Sequence, residues 1–168
     1  MKKIVTRRVF IGATLLAGTA LALLPQGAKT PIKIELFKLL EPVQEVLFPK
    51  HGSAPSAKEF GATNYLAIVS SHSSFWRDDL LFLKRGARAL MEYEPNFLKQ
   101  SFKEQQETIE GFSKEKIGKN WLSLLLFYTI EALLSDPIYG GNQNELGWKW
   151  LNHQTGKPQP QKPFGELV

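Results

Sequence analysis

Apolar residues recur at intervals of three and four along most of the chain, the spacing that places them on one face of a helix. The first such set predicts a helix over residues 34–48 and consists of Leu36, Leu40, Val43 and Leu47. Pro42 lies inside this set, and it either begins a second helical piece or kinks a longer helix. No alternation typical of strands is sustained anywhere, so the pattern favours an all-α fold.

The middle of the chain alternates loops with further helical patterns. Residues 49–56 carry glycine and proline and predict a loop, and residues 60–69 predict a short helix. Ser73 or Ser74 is expected to cap a helix that continues to about Tyr93. Its predicted inner stripe is Trp76, Leu80, Leu83, Ala87 and Leu90.

The last long helix is predicted from about residue 114 to residue 134, with Ser113 as its cap. Apolar residues surround most of its circumference, which predicts burial on several sides. It is either the central helix of this domain or a helix sandwiched between the domain and a larger partner. Glu131 is the one acid in its most apolar part. A desolvated carboxylate could act as a general acid, but an exposed strip or an arginine across an interface explains Glu131 better.

These patterns predict a small, irregular multi-helix domain with a long buried C-terminal helix. We expect a signal segment at residues 1–28, the helical domain at 29–151 and an extended proline-rich tail at 152–168. The signal consists of Thr6, Arg7, Arg8 and Phe10 before an apolar run. This twin-arginine pattern directs folded proteins to the periplasm. The run is short and ends in small residues, so a cleaved leader is preferred over a retained anchor.

The charge of the chain comes mostly from this leader. The net charge is +5, and the leader contains four of the 21 basic residues and no acid. Without it, 21 less 4 leaves 17 basic against 16 acidic residues, a net charge of +1. A nucleic-acid partner is therefore not expected. The absence of cysteine excludes disulfides, thiolate metal sites and covalent haem on this chain.

No pattern in the sequence predicts a catalytic, cofactor-binding or metal site. His51, His72 and His153 lack a second ligand at helical spacing, and the serines around His72 are better explained as a capping cluster than as nucleophiles. The glycines do not follow a strand, as a phosphate-binding loop requires.

The most specific internal feature is a motif at residues 135–142 followed by two tryptophans. Asp136 and Pro137 end the long helix, and Gly140, Gly141 and Asn142 tolerate positive φ and close backbone approach. Amphipathic aromatic residues accompany them, as at an interface, or else they close the domain's own core; both readings stay open. The residues expected to form a partner interface are Asp136, Pro137, Tyr139, Gly140, Gly141, Asn142, Gly147, Trp148 and Trp150.

With this motif, the chain resembles the gluconate 2-dehydrogenase subunit 3 family of small gamma subunits. The resemblance implies a non-catalytic subunit bound to a large FAD-dependent dehydrogenase of the glucose-methanol-choline type, with a membrane-bound multihaem cytochrome c as a possible third subunit. It also implies that this chain carries the leader recognised by the twin-arginine translocase, and that the complex lies at the outer face of the cytoplasmic membrane. The alternatives are a free-standing periplasmic binding or structural protein and an enzyme that acts alone.

Overall fold

The computed structural model describes residues 35–156, and the predicted signal segment and the tail beyond residue 156 lie outside them. The described residues form six α-helices and no strand, which confirms the all-α class. The helices are α1 (Leu36–Leu47), α2 (Ala62–Val69), α3 (Arg77–Tyr93), α4 (Phe102–Phe112), α5 (Lys116–Leu134) and α6 (Leu146–Trp150). Single 3-10 turns occur at Phe97–Lys99, Pro137–Tyr139 and Gln143–Glu145. Between residues 35 and 156, no helix combines the length and hydropathy needed to cross a bilayer.

Helix α5 lies at the centre of this domain and packs against α1, α2, α3 and α6. Trp121, Leu125 and Ala132 are fully buried along it. Of the two predicted environments, the central position within the chain's own domain is therefore observed. One strip of the helix remains exposed, however, and carries Phe127, Ile130 and Leu134.

The crossing of α3 and α5 depends on the absence of a side chain at Gly86. A Cβ atom at this position would overlap the indole ring of Trp121. The Trp121 Nε1 group donates a hydrogen bond to the Leu83 carbonyl of α3, at 3.1 Å. A buried indole finds its hydrogen-bond partner in this way, and the two helices approach closely enough to enclose it.

A polar bridge inside the core joins α1, α2 and α5. Gln44 is fully buried, and its Nε2 donates to Thr129 Oγ1 at 3.1 Å. Its Oε1 accepts from Thr63 Oγ1 at 2.7 Å. The Thr129 hydroxyl donates in turn to the Leu125 carbonyl, at 2.7 Å. The polar atoms of this amide are thus paired, which is what makes its burial tolerable.

The boundaries of several helices differ from the predicted ones. For Pro42 one of the two predicted alternatives is observed: it lies inside a single longer helix, α1, and does not begin a second one. Helix α3 begins at Arg77 after Trp76 and has no side-chain cap, so the expected cap at Ser73 or Ser74 is wrong. The reason is that the Ser74 hydroxyl is paired with Nδ1 of His72 at 2.7 Å.

Two further expectations about side chains are wrong. Trp76 was expected in the inner stripe of α3 but is 76% exposed, because it precedes the helix instead of lying within it. Ser113 does not cap α5, since its hydroxyl donates back to the Glu110 carbonyl at 2.7 Å and closes α4. Helix α5 begins after Glu115 without a side-chain cap.

Candidate functional site

The motif at residues 135–150 forms a compact structure at the end of α5, here called the C-terminal cap. Ser135 takes an extended conformation and stops the helix. The Asp136 carboxylate then accepts a hydrogen bond from the backbone N–H of Ile138 at 3.0 Å, which fixes the following turn. Pro137 occupies the first position of that turn, where a missing N–H has no cost.

Asn142 is the centre of the C-terminal cap. Its side chain is fully buried, and its Nδ2 donates to the Ser135 carbonyl at 2.9 Å. Its Oδ1 accepts from the backbone N–H of Gly147 at 2.8 Å. One amide therefore joins the end of α5 to the start of α6. The backbone of Asn142 has φ 44°, a conformation that asparagine tolerates better than most residues.

The glycines of the cap allow backbone to lie directly against α5. A Cβ atom at Gly141 would stand 2.6 Å from the Ala132 carbonyl oxygen, and one at Gly147 would overlap the carbonyl oxygen of Leu133. The Trp148 indole donates to the Leu134 carbonyl at 2.9 Å. These contacts cover the last carbonyls of α5, which have no partner within the helix.

The cap is also tied to α2. The Gly140 carbonyl accepts from Asn64 Nδ2 at 2.8 Å, and Gly140 has φ 84°, which favours glycine. The Gln143 backbone N–H donates to the Phe60 carbonyl at 3.2 Å. The cap thus contacts both the end of α5 and the start of α2.

The structure brings the predicted motif residues together and gives most of them partners within the chain. Tyr139 is half-buried, and Trp150, whose ring centroid lies 6.3 Å from that of Phe48, remains 39% exposed. The exposed part of the Trp150 ring leaves surface for a partner. The interface role assigned to the motif stays a prediction, while its part in folding the end of α5 is observed.

A second feature, here called the groove, lies between α2, the start of α3 and α5. Its volume is about 900 Å³, and it opens to solvent. Large apolar side chains at its rim are unusually exposed: Trp76 76%, Phe127 58%, Ile130 40% and Leu134 47%. Contiguous apolar surface of this kind is typical of binding sites.

Two tyrosine–carboxylate pairs lie in the groove. The Tyr128 hydroxyl donates to Asp79 Oδ2 at 2.6 Å. Tyr65 lies close enough to Glu131 for this carboxylate to raise the pKa of the phenol. Burial raises the pKa of both phenols above the ordinary tyrosine value, and the neighbouring carboxylates raise the pKa values further. Both tyrosines therefore stay neutral donors at physiological pH, and the charge in the groove resides on the carboxylates.

The position of Glu131 agrees with the favoured interpretation, since this residue lies on the exposed strip of α5. The sequence did not indicate Tyr65, Asp79 or Tyr128 as neighbours of this acid. They come from three different helices, so no local pattern joins them. The one signal in the sequence was the spacing of Phe127, Ile130 and Leu134 at i, i+3 and i+7, which places these three side chains on the same face of α5.

The three histidines lie apart from both features or serve local contacts. His51 is exposed in a loop, His72 contacts Ser74, and the His153 ring packs edge-on against Trp148 at 6.1 Å. Within residues 35–156, no group of three histidine or carboxylate side chains is placed to hold a metal ion. The expectations about metals and cofactors stay predictions.

Comparison with known protein families gives a match that covers the helical domain. The family described as Gluconate 2-dehydrogenase subunit 3 matches residues 35–156. No curated protein and no solved structure matches the chain. The family match spans well over half of the sequence and coincides with the described helical domain. The chain therefore belongs to the gluconate 2-dehydrogenase subunit 3 family, a subunit of a dehydrogenase complex.

Proposed function

We propose that this chain is a non-catalytic small subunit that binds, stabilises and escorts a folded FAD-dependent dehydrogenase. The observation that carries the proposal is the exposed apolar strip of α5, beside the groove, in a member of a dehydrogenase subunit family. A free-standing protein gains nothing from leaving Phe127, Ile130 and Leu134 in water, whereas burial of such side chains stabilises a complex.

The leader supplies the second half of the proposal. Arg7 and Arg8 lie in a twin-arginine pattern, and that route accepts proteins that have already folded. A dehydrogenase that acquires FAD before export has a reason to use it. We therefore place the complex in the periplasm, at the outer face of the cytoplasmic membrane, with FAD on the large subunit and haem c on a third subunit.

The test is to replace Arg7 and Arg8 together by lysine and to measure dehydrogenase activity in periplasmic and cytoplasmic fractions. We expect the activity to move to the cytoplasm, because the pair and not its charge is recognised. The matched control replaces Lys2 and Lys3 by arginine, which keeps the leader charge and the pair. Normal periplasmic activity in the Arg7→Lys, Arg8→Lys variant would contradict the escort function.

Assays of the purified chain test the alternative hypothesis that it is an enzyme that acts alone. We expect neither flavin absorbance nor dye-linked sugar oxidation from it. Either signal, retained after gel filtration, would favour an enzyme.

A further inference from the structure

We propose that the groove receives an arginine side chain carried on an apolar segment of the dehydrogenase subunit. The inference rests on the proposed function and adds to it the surface of this chain that binds and the chemistry that it recognises. The buried Asn142 amide of the C-terminal cap is paired internally, whereas the groove combines exposed apolar rings with exposed charge.

The charge of the groove is negative and is not neutralised by the domain itself. Asp79 and Glu131 line it, and no lysine, arginine or histidine from residues 35–156 does so. The ion pairs within that same range involve neither carboxylate. The hydrogen-bond donor supplied to Asp79 is the neutral phenol of Tyr128, which leaves the net charge in place. A cation that enters the groove is therefore attracted by both carboxylates.

The two carboxylates lie beside Tyr128 in the same groove. Asp79 accepts a hydrogen bond from the Tyr128 hydroxyl, and Glu131 follows Tyr128 at i+3 on α5, a spacing at which side chains are neighbours. One cationic group beside that hydroxyl can therefore be reached by both acids. A guanidinium group suits this arrangement, because its five N–H donors fork in a plane and can bind more than one carboxylate.

The aromatic lining favours arginine over lysine. Phe75 packs on Tyr128 with ring centroids 5.2 Å apart, and Trp76 and Phe127 add exposed rings at the rim. A guanidinium group is weakly hydrated and stacks on aromatic faces, whereas the lysine ammonium holds its water more strongly. Phe127, Ile130 and Leu134 form an exposed apolar rim of the groove, so the segment that carries the arginine is expected to be apolar.

The experiment measures binding of the full chain to the purified FAD-containing dehydrogenase subunit of the same host. The variants are Glu131→Arg, Glu131→Gln and Asp79→Asn, and thermal unfolding checks that each is folded. The matched control is Glu107→Arg, the same charge change at an exposed position of α4 away from the groove. We expect Glu131→Arg to raise the Kd about 10-fold or more, the two neutral variants to raise it less, and the control to change it by less than about 2-fold. Added salt should weaken the wild-type complex more than the Glu131→Gln complex.

A separate experiment tests whether the cation in the groove is an arginine or a lysine. We expect one arginine of the dehydrogenase to be protected from phenylglyoxal in the wild-type complex, as measured by peptide mass spectrometry. A carbodiimide crosslink from Glu131 or Asp79 to a lysine of the dehydrogenase would overturn the assignment to arginine.

The failures of the two proposals are distinguishable. If the wild-type chain binds no dehydrogenase, the proposed function fails and this inference fails with it. If wild type and Glu131→Arg bind equally well, only this inference is overturned. Self-association of the purified chain that Glu131→Arg abolishes would name a second copy as the occupant and would also overturn it.

Discussion

Helix α5 contributes to two surfaces that differ in whether their polar and apolar groups find partners within the chain. At its C-terminal end, the cap supplies Asn142, Gly147 and Trp148 to cover the helix carbonyls and each other's polar groups. About one to two turns before that end, the groove leaves Phe127 and Ile130 exposed beside uncompensated carboxylates. The C-terminal cap, which has the more distinctive sequence, thus makes most of its contacts inside the chain. The groove has no sequence motif, yet its apolar side chains are the ones that remain exposed to solvent. The spacing of residues in the motif reflects the tight backbone geometry of the cap. Whether a surface is available for binding has to be judged from the exposure of its side chains.

The largest effect is expected where backbone lies directly on α5. Gly147→Ala should lower the free energy of unfolding by about 3 kcal/mol, because the new methyl group overlaps the rigid Leu133 carbonyl. Chemical denaturation followed by circular dichroism measures this. Gly156→Ala is the control, since nothing lies within 4 Å of its Cβ position. Equal stability of the two variants would break the claim that the cap is held by close packing.

A smaller loss isolates the hydrogen bonds of the cap. Asn142→Ala should cost about 2 kcal/mol more than Asn144→Ala, because it leaves the Gly147 N–H buried without an acceptor. Asn144 is a matched control: it is exposed and has φ 55°, close to the 44° of Asn142, so both substitutions carry a similar backbone strain. Thermal and denaturant unfolding of the pair gives the difference. If the two losses are the same, the buried amide contributes nothing beyond its backbone conformation.

The smallest effect is expected in the groove. Tyr128→Phe should lower the free energy of unfolding by about 1 kcal/mol at neutral pH, because one hydrogen bond to Asp79 is lost. Burial and Asp79 raise the pKa of Tyr128 in the folded state. Its contribution is therefore fully present below the unfolded pKa of about 10 and is lost as the pH rises above that value.

Unfolding measured as a function of pH tests this sign. The wild-type chain should lose stability above about pH 10 more steeply than Tyr128→Phe. Parallel curves for the two proteins would show that the phenol titrates alike in the folded and unfolded states, and the groove would then be more solvated than the structure indicates.

Much of the fold could be predicted because it follows from periodicity. The stripes in α1 and α5 were sufficient to place those helices and to predict that α5 is buried on several sides, while the choice between a central position and a position between two subunits needed the structure. The start of helix α4 also has a signal in the sequence, since Ser101 and Glu104 have the spacing of a capping box. The structure shows this box, with the Ser101 N–H donating to the Glu104 carboxylate at 2.7 Å. The caps expected at Ser74 and Ser113 failed because a serine has several local partners and the sequence does not rank them.

The groove could not be predicted, because its chemistry is assembled across the chain. Tyr65 and Glu131 are 66 positions apart, and Asp79 reaches Tyr128 only after α3 has packed on α5. Exposure of an apolar residue is equally a property of packing: Phe127 and Leu125 look alike in sequence, yet one is 58% exposed and the other is fully buried. The cap motif could be recognised in the sequence. The sequence does not show which backbone segment lies opposite each glycine, so it could not show whether the contacts of the motif are made within the chain or with a partner.

The buried amide of Gln44 has a consequence for the surface of the protein. Leucine contacts allow one helix to turn slightly against another, whereas hydrogen bonds from a single amide to Thr63 and Thr129 are satisfied at one rotation of α5 only. Thr129 is followed directly by Ile130 and Glu131, so the angle that satisfies the interior also sets which side chains point outward. An interior amide on α1 thereby helps to determine which side chains of α5 face the solvent.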